Sequence, residues 1–244
     1  MDVKADPGRF DQVEADALVV SVFEGEDPTV GVLGEVNEAM EGLIKDLMGS
    51  DELRGKSGDM VYLYRPGSVK ARRVLLVGVG KREDFDIDSV RQLAGSAVRY
   101  LRGKGARTVA ILRRSQIDIV AAAEAAVEGA LIGLYEPDVY RTSDREERRI
   151  ETLILCTAGG GSAEDLERGI VRGRILGEST NFTRELVNEP SNNMTPEILS
   201  LRAREMAERF GLAIDILDEP RLRELGMGAI LGVGQGSDEP SRLV

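Results

Sequence analysis

Side chains that carry chemistry are scarce in this chain of 244 residues. It has no His, which removes the usual general base and the commonest metal ligand. Its one thiol, Cys156, lies in the apolar run Leu153-Ile154-Leu155-Cys156 and reads as a buried strand residue, since nothing nearby would stabilise a thiolate. Gly55-Lys56-Ser57 invites comparison with the phosphate loop G-x-x-x-x-G-K-[ST]. Ser50 stands where the first glycine belongs, however, and the segment leads from helix to strand, the reverse of a phosphate cradle. Gly78-Val79-Gly80 ends an apolar run as a dinucleotide loop would, but the third glycine position is Glu83. Asp84, Asp86 and Asp88 imitate the start of a calcium loop, with Ser89 and Gly95 where Gly and Glu are needed. Gly159-Gly160-Gly161 precedes a helix, where phosphate sites form, yet Ser162 and Asp165 make a capping box and Glu164 adds negative charge. The acidic segment Glu24 to Pro28 brings carboxylates close enough to bind a divalent cation, but reads rather as a solvated loop. None of these supplies a catalytic, cofactor-binding or metal-binding residue.

The elements that hold these groups alternate regularly. Ala17 to Phe23 is a mostly β-branched apolar run, the pattern of a buried strand. Val36, Met40, Leu43, Ile44, Leu47 and Met48 recur at helical spacing and predict one helix ending near Met48. Strands follow at Met60–Tyr64, Arg73–Gly80, Thr108–Leu112 and Glu151–Thr157. Asp88 is the expected N-cap of an amphipathic helix through Leu101, and the Ala-rich stretch from Ile117 to Leu134 predicts a well-buried helix. The mixed charge run Asp144 to Arg149 reads as a solvated turn. From Ser162 a long helix runs to about Asn188, with Gly169, Gly173 and Gly177 on one face. Glycine is about 1 kcal/mol worse than Ala inside a helix, so three on one face predict another backbone packed close against it.

Pro190 stops that helix, and Thr195-Pro196-Glu197 starts the next with a capping hydroxyl, a proline suited to the first position and a favourable charge. Beyond this hinge the pattern predicts a helix from Leu199 to Phe210, a strand at Leu212–Leu217, a short helix from Glu219 and a glycine-rich loop from Gly232 to Pro240. Residues 1–158 therefore read as an α/β layered domain, 159–190 as a linking helix and 191–244 as the beginning of a second domain.

At 42% hydrophobic and 31% charged residues the chain can bury a core. A net charge of −11, with basic residues interspersed among acids, argues against a nucleic-acid-wrapping surface. No run approaches the ~18 apolar residues of a membrane span. Met1-Asp2-Val3-Lys4 opens no signal-peptide core, and a single Cys fits a reducing compartment, so a cytoplasmic location is expected.

Arg184-Glu-Leu-Val-Asn-Glu-Pro-Ser-Asn-Asn-Met-Thr-Pro-Glu197 resembles the hinge of the leucyl aminopeptidases, the cytosol aminopeptidase family (peptidase family M17). The segment Gly226 to Val244 is similar to the same family just downstream. Gly55-Lys-Ser-Gly58, Val74 to Lys81 and Glu128 to Tyr135 followed by Tyr140-Arg-Thr142 are weaker echoes. The resemblance implies a macro-domain-like three-layer α/β domain with a mixed sheet, a linking helix and the truncated start of an α/β catalytic domain. It also implies a homohexamer acting on peptides, with two divalent ions, Zn or Mn, that polarise the peptide carbonyl and activate a water. The family's metal-holding and catalytic residues lie in motifs that follow Arg242-Leu-Val244, so none is carried onto residues 1–244. The chain is expected to be an inactive N-terminal portion, with residues 191–244 loosely ordered, packed on the first domain or paired with another chain.

Two other classes compete. A macro-like binding module for ADP-ribose or nucleic acid is disfavoured by the net charge and the failed phosphate loops. A nicotinamide oxidoreductase built on Gly78 and Gly80 is weaker still.

Overall fold

In a computed structural model, Ala17–Val22 forms strand β2, with all six of its residues buried. An unbroken apolar run has two apolar faces, and both are covered here. Every residue is described except 115, 138 and 144–147, so most of the charge run Asp144 to Arg149 lies outside the described residues. The chain divides into two units, Met1–Asn181 and Phe182–Val244.

The first unit is built on a six-stranded sheet. Besides β2 it contains β1 (Asp2–Arg9), β3 (Met60–Tyr64), β4 (Arg73–Gly78), β5 (Thr108–Leu112) and β6 (Thr152–Thr157), in the order β1-β6-β5-β2-β4-β3. All neighbours are parallel except β3, which runs antiparallel to β4. One face packs against α3 (Ile87–Gly103), α4 (Ile119–Gly133) and the start of α5 (Ala163–Asn188). The other packs against α1 (Gly31–Ala39) and α2 (Leu43–Gly49). Along β2 the alternation is visible residue by residue: Val19 joins the first cluster, and Leu18 and Val20 the second. This is the expected three-layer arrangement with a mixed sheet.

The glycine face of α5 does what its spacing predicts. A Cβ on Gly169 would lie 2.5 Å from the Val120 oxygen, and one on Gly173 2.3 Å from the Glu124 oxygen, so the backbone of α4 fills that space. The same device joins α4 to α3: a Cβ on Gly129 would meet the Arg91 oxygen at 2.1 Å, and one on Gly133 the Cα of Gly95 at 2.7 Å.

Several local expectations are corrected. The helix expected to run to Met48 is two, because the chain turns at Glu41 (φ 58°) and Gly42 (φ 87°). Asn37 Oδ1 then accepts from Lys45 N at 3.0 Å and ties the two together. The N-cap of α3 is Asp86, not Asp88; its carboxylate accepts from Ser89 N at 2.9 Å. Asp88 instead pairs with Arg91 within the first turn. Strand β1 was not anticipated, because Asp2, Lys4, Asp6, Pro7 and Arg9 break its apolar pattern and only Val3 is buried.

In the second unit Thr195 caps α6 (Pro196–Phe210), its Oγ1 accepting from Ile198 N at 3.3 Å, and Pro196 takes the first position. α7 (Glu219–Glu224) and α8 (Gly228–Gly234) follow. The expected strand at Leu212–Leu217 is only a single bridge, Leu217 to Leu243, with N···O distances of 2.8 and 3.1 Å. Residues 228–234, read in part as loop, are helical: Gly228, Gly232 and Gly234 hide a helix whose other residues are Ala, Ile, Leu and Val.

Gly173→Leu tests the α4–α5 contact. Overpacking of this kind costs about 1–3 kcal/mol, so chemical denaturation is expected to show a loss in that range. Gly103→Ala, where a Cβ meets nothing within 4 Å, is expected to be neutral or slightly stabilising. Equal stability of the Leu variant and the parent contradicts the close contact.

Candidate functional site

In open α/β sheets ligands bind beyond the carboxyl ends of the strands, where the connections diverge to opposite faces. Here the chain leaves β2 for α1 on one face and leaves the adjacent β5 for α4 on the other. The divergence therefore falls between β2 and β5.

Three charged side chains converge there. Glu26, in the loop after β2, accepts through Oε1 from Arg114 at 2.7 Å and from Arg82 at 2.6 Å. Its Oε2 accepts from Phe23 N at 3.1 Å. Arg114 lies two residues beyond the end of β5; its side chain is 2% exposed and also donates to the Ser21 carbonyl. Burial pulls its guanidinium down from the ordinary arginine range, and Glu26 opposes that shift. The Arg82 guanidinium, on the loop after β4, lies 4.1 Å above the Phe23 ring, and Phe23 meets Phe85 edge to face at 5.1 Å. Beside this cluster, Phe85, Leu93, Ile111, Arg113, Arg114 and Ala123 help line a cavity of about 40 Å³. The Nε atoms of Arg113 and Arg114 are buried without a hydrogen-bond partner.

That space suits a water molecule or two. Small-molecule sites run from about 300 Å³ upward, so the crevice in this form does not admit ADP-ribose. The arginine charge is already turned toward Glu26. The arrangement joins the loops after β2 and β4 to the end of β5.

The loop at Gly55-Lys56-Ser57 is closed by its own carboxylate: Asp59 Oδ2 accepts from Arg54 N at 3.1 Å and Lys56 N at 3.2 Å, so an anion would meet negative charge. Gly78 is a close-approach residue, since a Cβ there would lie 2.1 Å from the Lys56 oxygen. Gly80 is followed by α3 only at Ile87, too late for a dinucleotide turn. Behind Gly159-Gly160-Gly161, Ser162 Oγ accepts from Asp165 N at 3.2 Å and caps α5. Cys156 is fully buried and pushed up to about 12 by burial, so no thiolate forms near neutral pH. Among the described residues, no group of three or more His, Cys, Asp or Glu side chains comes together to hold a metal ion.

The solvated loop expected at Glu24 to Pro28 is corrected at Glu26, whose side chain is only 10% exposed because both arginines and Phe23 N bind it; Arg82 and Arg114 were not singled out by the sequence. The available signal was Arg113-Arg114 at the end of an apolar strand, a place where charge is held only if a partner comes from elsewhere in the chain.

Removing one partner from a buried pair costs about 3–5 kcal/mol. Glu26→Gln is therefore expected to destabilise by that order in urea denaturation, and Arg82→Gln, whose side chain is 52% exposed, by clearly less. An equal and small effect of both contradicts the central place of Glu26. Cys156 is expected to stay unreactive toward a thiol reagent at pH 8 until the chain is unfolded; stoichiometric labelling of the folded protein contradicts its burial.

Comparison with known proteins gives a consistent set of similarities. Residues 19–144 match the family model described as cytosol aminopeptidase family, N-terminal domain, and residues 181–244 match that of the same family's catalytic domain. A probable cytosol aminopeptidase of Solibacter usitatus is 43% identical over 234 residues, covering 96% of this chain and 45% of the relative. One from Acidobacterium capsulatum is 38% identical over 208 residues, covering 84% of this chain and 41% of the relative. Among solved structures, a mutant of tomato leucine aminopeptidase superposes with a TM-score of 0.84 at 25% identity, over 98% of this chain and 49% of that one. The bottromycin maturation enzyme BotP superposes with a TM-score of 0.73 at 26% identity, over 93% of this chain and 45% of that one. The chain spans about half the length of the curated relatives it matches.

Proposed function

The chain belongs to the cytosol aminopeptidase family, and from that premise we propose that residues 1–244 form the non-catalytic α/β part and the opening of the catalytic part of an aminopeptidase. That enzyme would remove N-terminal residues, leucine among them, from peptides. What carries the reading is the succession on one chain of a match to the family's N-terminal domain and a match to its catalytic domain, with the hinge motif Arg184–Glu197 inside the second. On this reading residues 1–158 are the macro-like domain, 159–190 the linking helix and 191–244 the start of the catalytic domain.

The family resemblance calls for two divalent ions, and BotP has been solved in complex with Mn. Among the described residues, no group of three or more His, Cys, Asp or Glu side chains forms a donor set for such ions. We place the Zn or Mn ligands, and the groups that move protons, in the part of the relatives' length that this chain does not match. A homohexamer in the cytoplasm is the assembly and location that the resemblance favours. No helix among the described residues is long and apolar enough to cross a membrane.

Leucine p-nitroanilide hydrolysis separates the parts of this proposal. The 244-residue chain with added Mn or Zn is expected to release no nitroaniline above the blank, while a longer product carrying the same residues is expected to do so in a metal-dependent way. Metal-dependent turnover by the 244-residue chain would refute the placement of the ligands. An inert but folded longer product would count against the aminopeptidase reading.

A further inference from the structure

The two edges of the sheet are built differently. β1 alternates charged residues along its length and contains Pro7, the features of a guarded edge. β3, at the opposite edge, is Met-Val-Tyr-Leu-Tyr, with no charge, proline or glycine. Among the described residues no strand pairs with its outer side. Tyr64 is 72% exposed. A short uncharged edge of this kind is a template for another strand.

The ladder with β4 determines which backbone groups face outward. Asp59 O accepts from Gly78 N at 2.8 Å, and Arg65 N donates to Arg72 O at 2.8 Å. Hydrogen-bonding positions alternate along an antiparallel strand. The odd-numbered residues therefore bond to β4, and Met60, Tyr62 and Tyr64 turn their N–H and C=O groups outward.

We propose that β3 pairs antiparallel with β3 of a second copy of this chain, about a two-fold axis at Tyr62, so that two six-stranded sheets become one continuous sheet. In this register Tyr62 faces Tyr62, and Met60 faces Tyr64, so every outward-bonding residue meets another. Val61 faces Leu63. Just beyond the strand, Asp59 of each copy faces Arg65 of the other, which places opposite charges together at both ends. A slip of one residue sets outward-bonding positions against inward-bonding ones. A slip of two preserves the ladder but separates both charge pairs. The flanking charges thus select one register out of those the backbone allows. The proposal needs only the β3 edge and stands apart from the aminopeptidase reading.

Cross-linking reads the register directly. Residues facing each other at a non-hydrogen-bonded pair have Cα atoms about 4.5 Å apart, within disulfide reach, whereas like positions one step off the diagonal exceed the limit of about 7 Å. Under mild oxidation, a mixture of Val61→Cys and Leu63→Cys chains of 244 residues is expected to form a disulfide-linked dimer, and neither variant alone. Buried Cys156 does not compete. Absence of the cross-link from the mixture, or equal cross-linking of either variant alone, overturns the proposal. A second measurement avoids the strand. Arg65, exposed beyond its end, is changed to Glu, which sets like charges against each other twice. Analytical ultracentrifugation is expected to show the dimer dissociation constant rising about tenfold, with Arg65→Lys close to the parent. A dimer unmoved by Arg65→Glu overturns the proposal equally.

Discussion

The first unit depends on how closely three helix backbones approach one another. Where α4 meets α3 and α5, a single added Cβ would collide with main-chain atoms at 2.1–2.7 Å, at Gly129, Gly133, Gly169 and Gly173 alike. Side chains can adjust by changing rotamer, but a backbone cannot, so such contacts fix axial position as well as distance. They also explain why α4 is so rich in Ala and why its buried residues spread around the helix. With α3 and α4 held against each other, the loops that enter them stand at one end of the sheet, where Arg82 and Arg114 reach Glu26.

How much of this the sequence disclosed follows from how each element is solvated. β2, β4, β5 and β6 were legible because strands covered on both faces must be apolar throughout, and few other elements of that length look alike. β1 was hidden because an edge strand facing water carries charge and proline. The break between α1 and α2 falls inside an apolar pattern that a continuous helix would also satisfy; only Gly42 marked it. The alternation at Leu212–Leu217 suggested a strand, yet a strand needs a partner, and Leu243 supplies a single bridge. The glycines around α8 mask a helix that its apolar residues favour. The Glu26 cluster was illegible for another reason: its members are 56 and 88 residues apart, and no local pattern links a carboxylate to arginines at such separation.

The functional residues divide in the same way. Motifs that resemble phosphate, dinucleotide and calcium loops failed on spacing, and the structure adds physical causes: Asp59 already occupies the amides near Lys56, and Asp86 and Ser162 occupy the helix starts. The hinge was legible because Pro190, Thr195 and Pro196 each constrain the backbone in a way few other residues do. That constraint says where helices end and begin. It says nothing of catalysis, which is why the family resemblance identified what elementary chemistry left open.

One feature of the sheet also bears on how the chain is made. β1 occupies residues 2–9 but pairs with β6 at residues 152–157. β1 is therefore synthesised well before its partner, with four other strands and four α-helices between them among the described residues. Long-range parallel pairing is slow, and a waiting strand is open to wrong partners. The charges and Pro7 that obscure β1 as a strand make it a poor template for aggregation during that wait. A circularly permuted chain that moves residues 1–16 behind β6 would turn this distant closure into a neighbouring one, and folding would no longer depend on an early segment remaining unpaired.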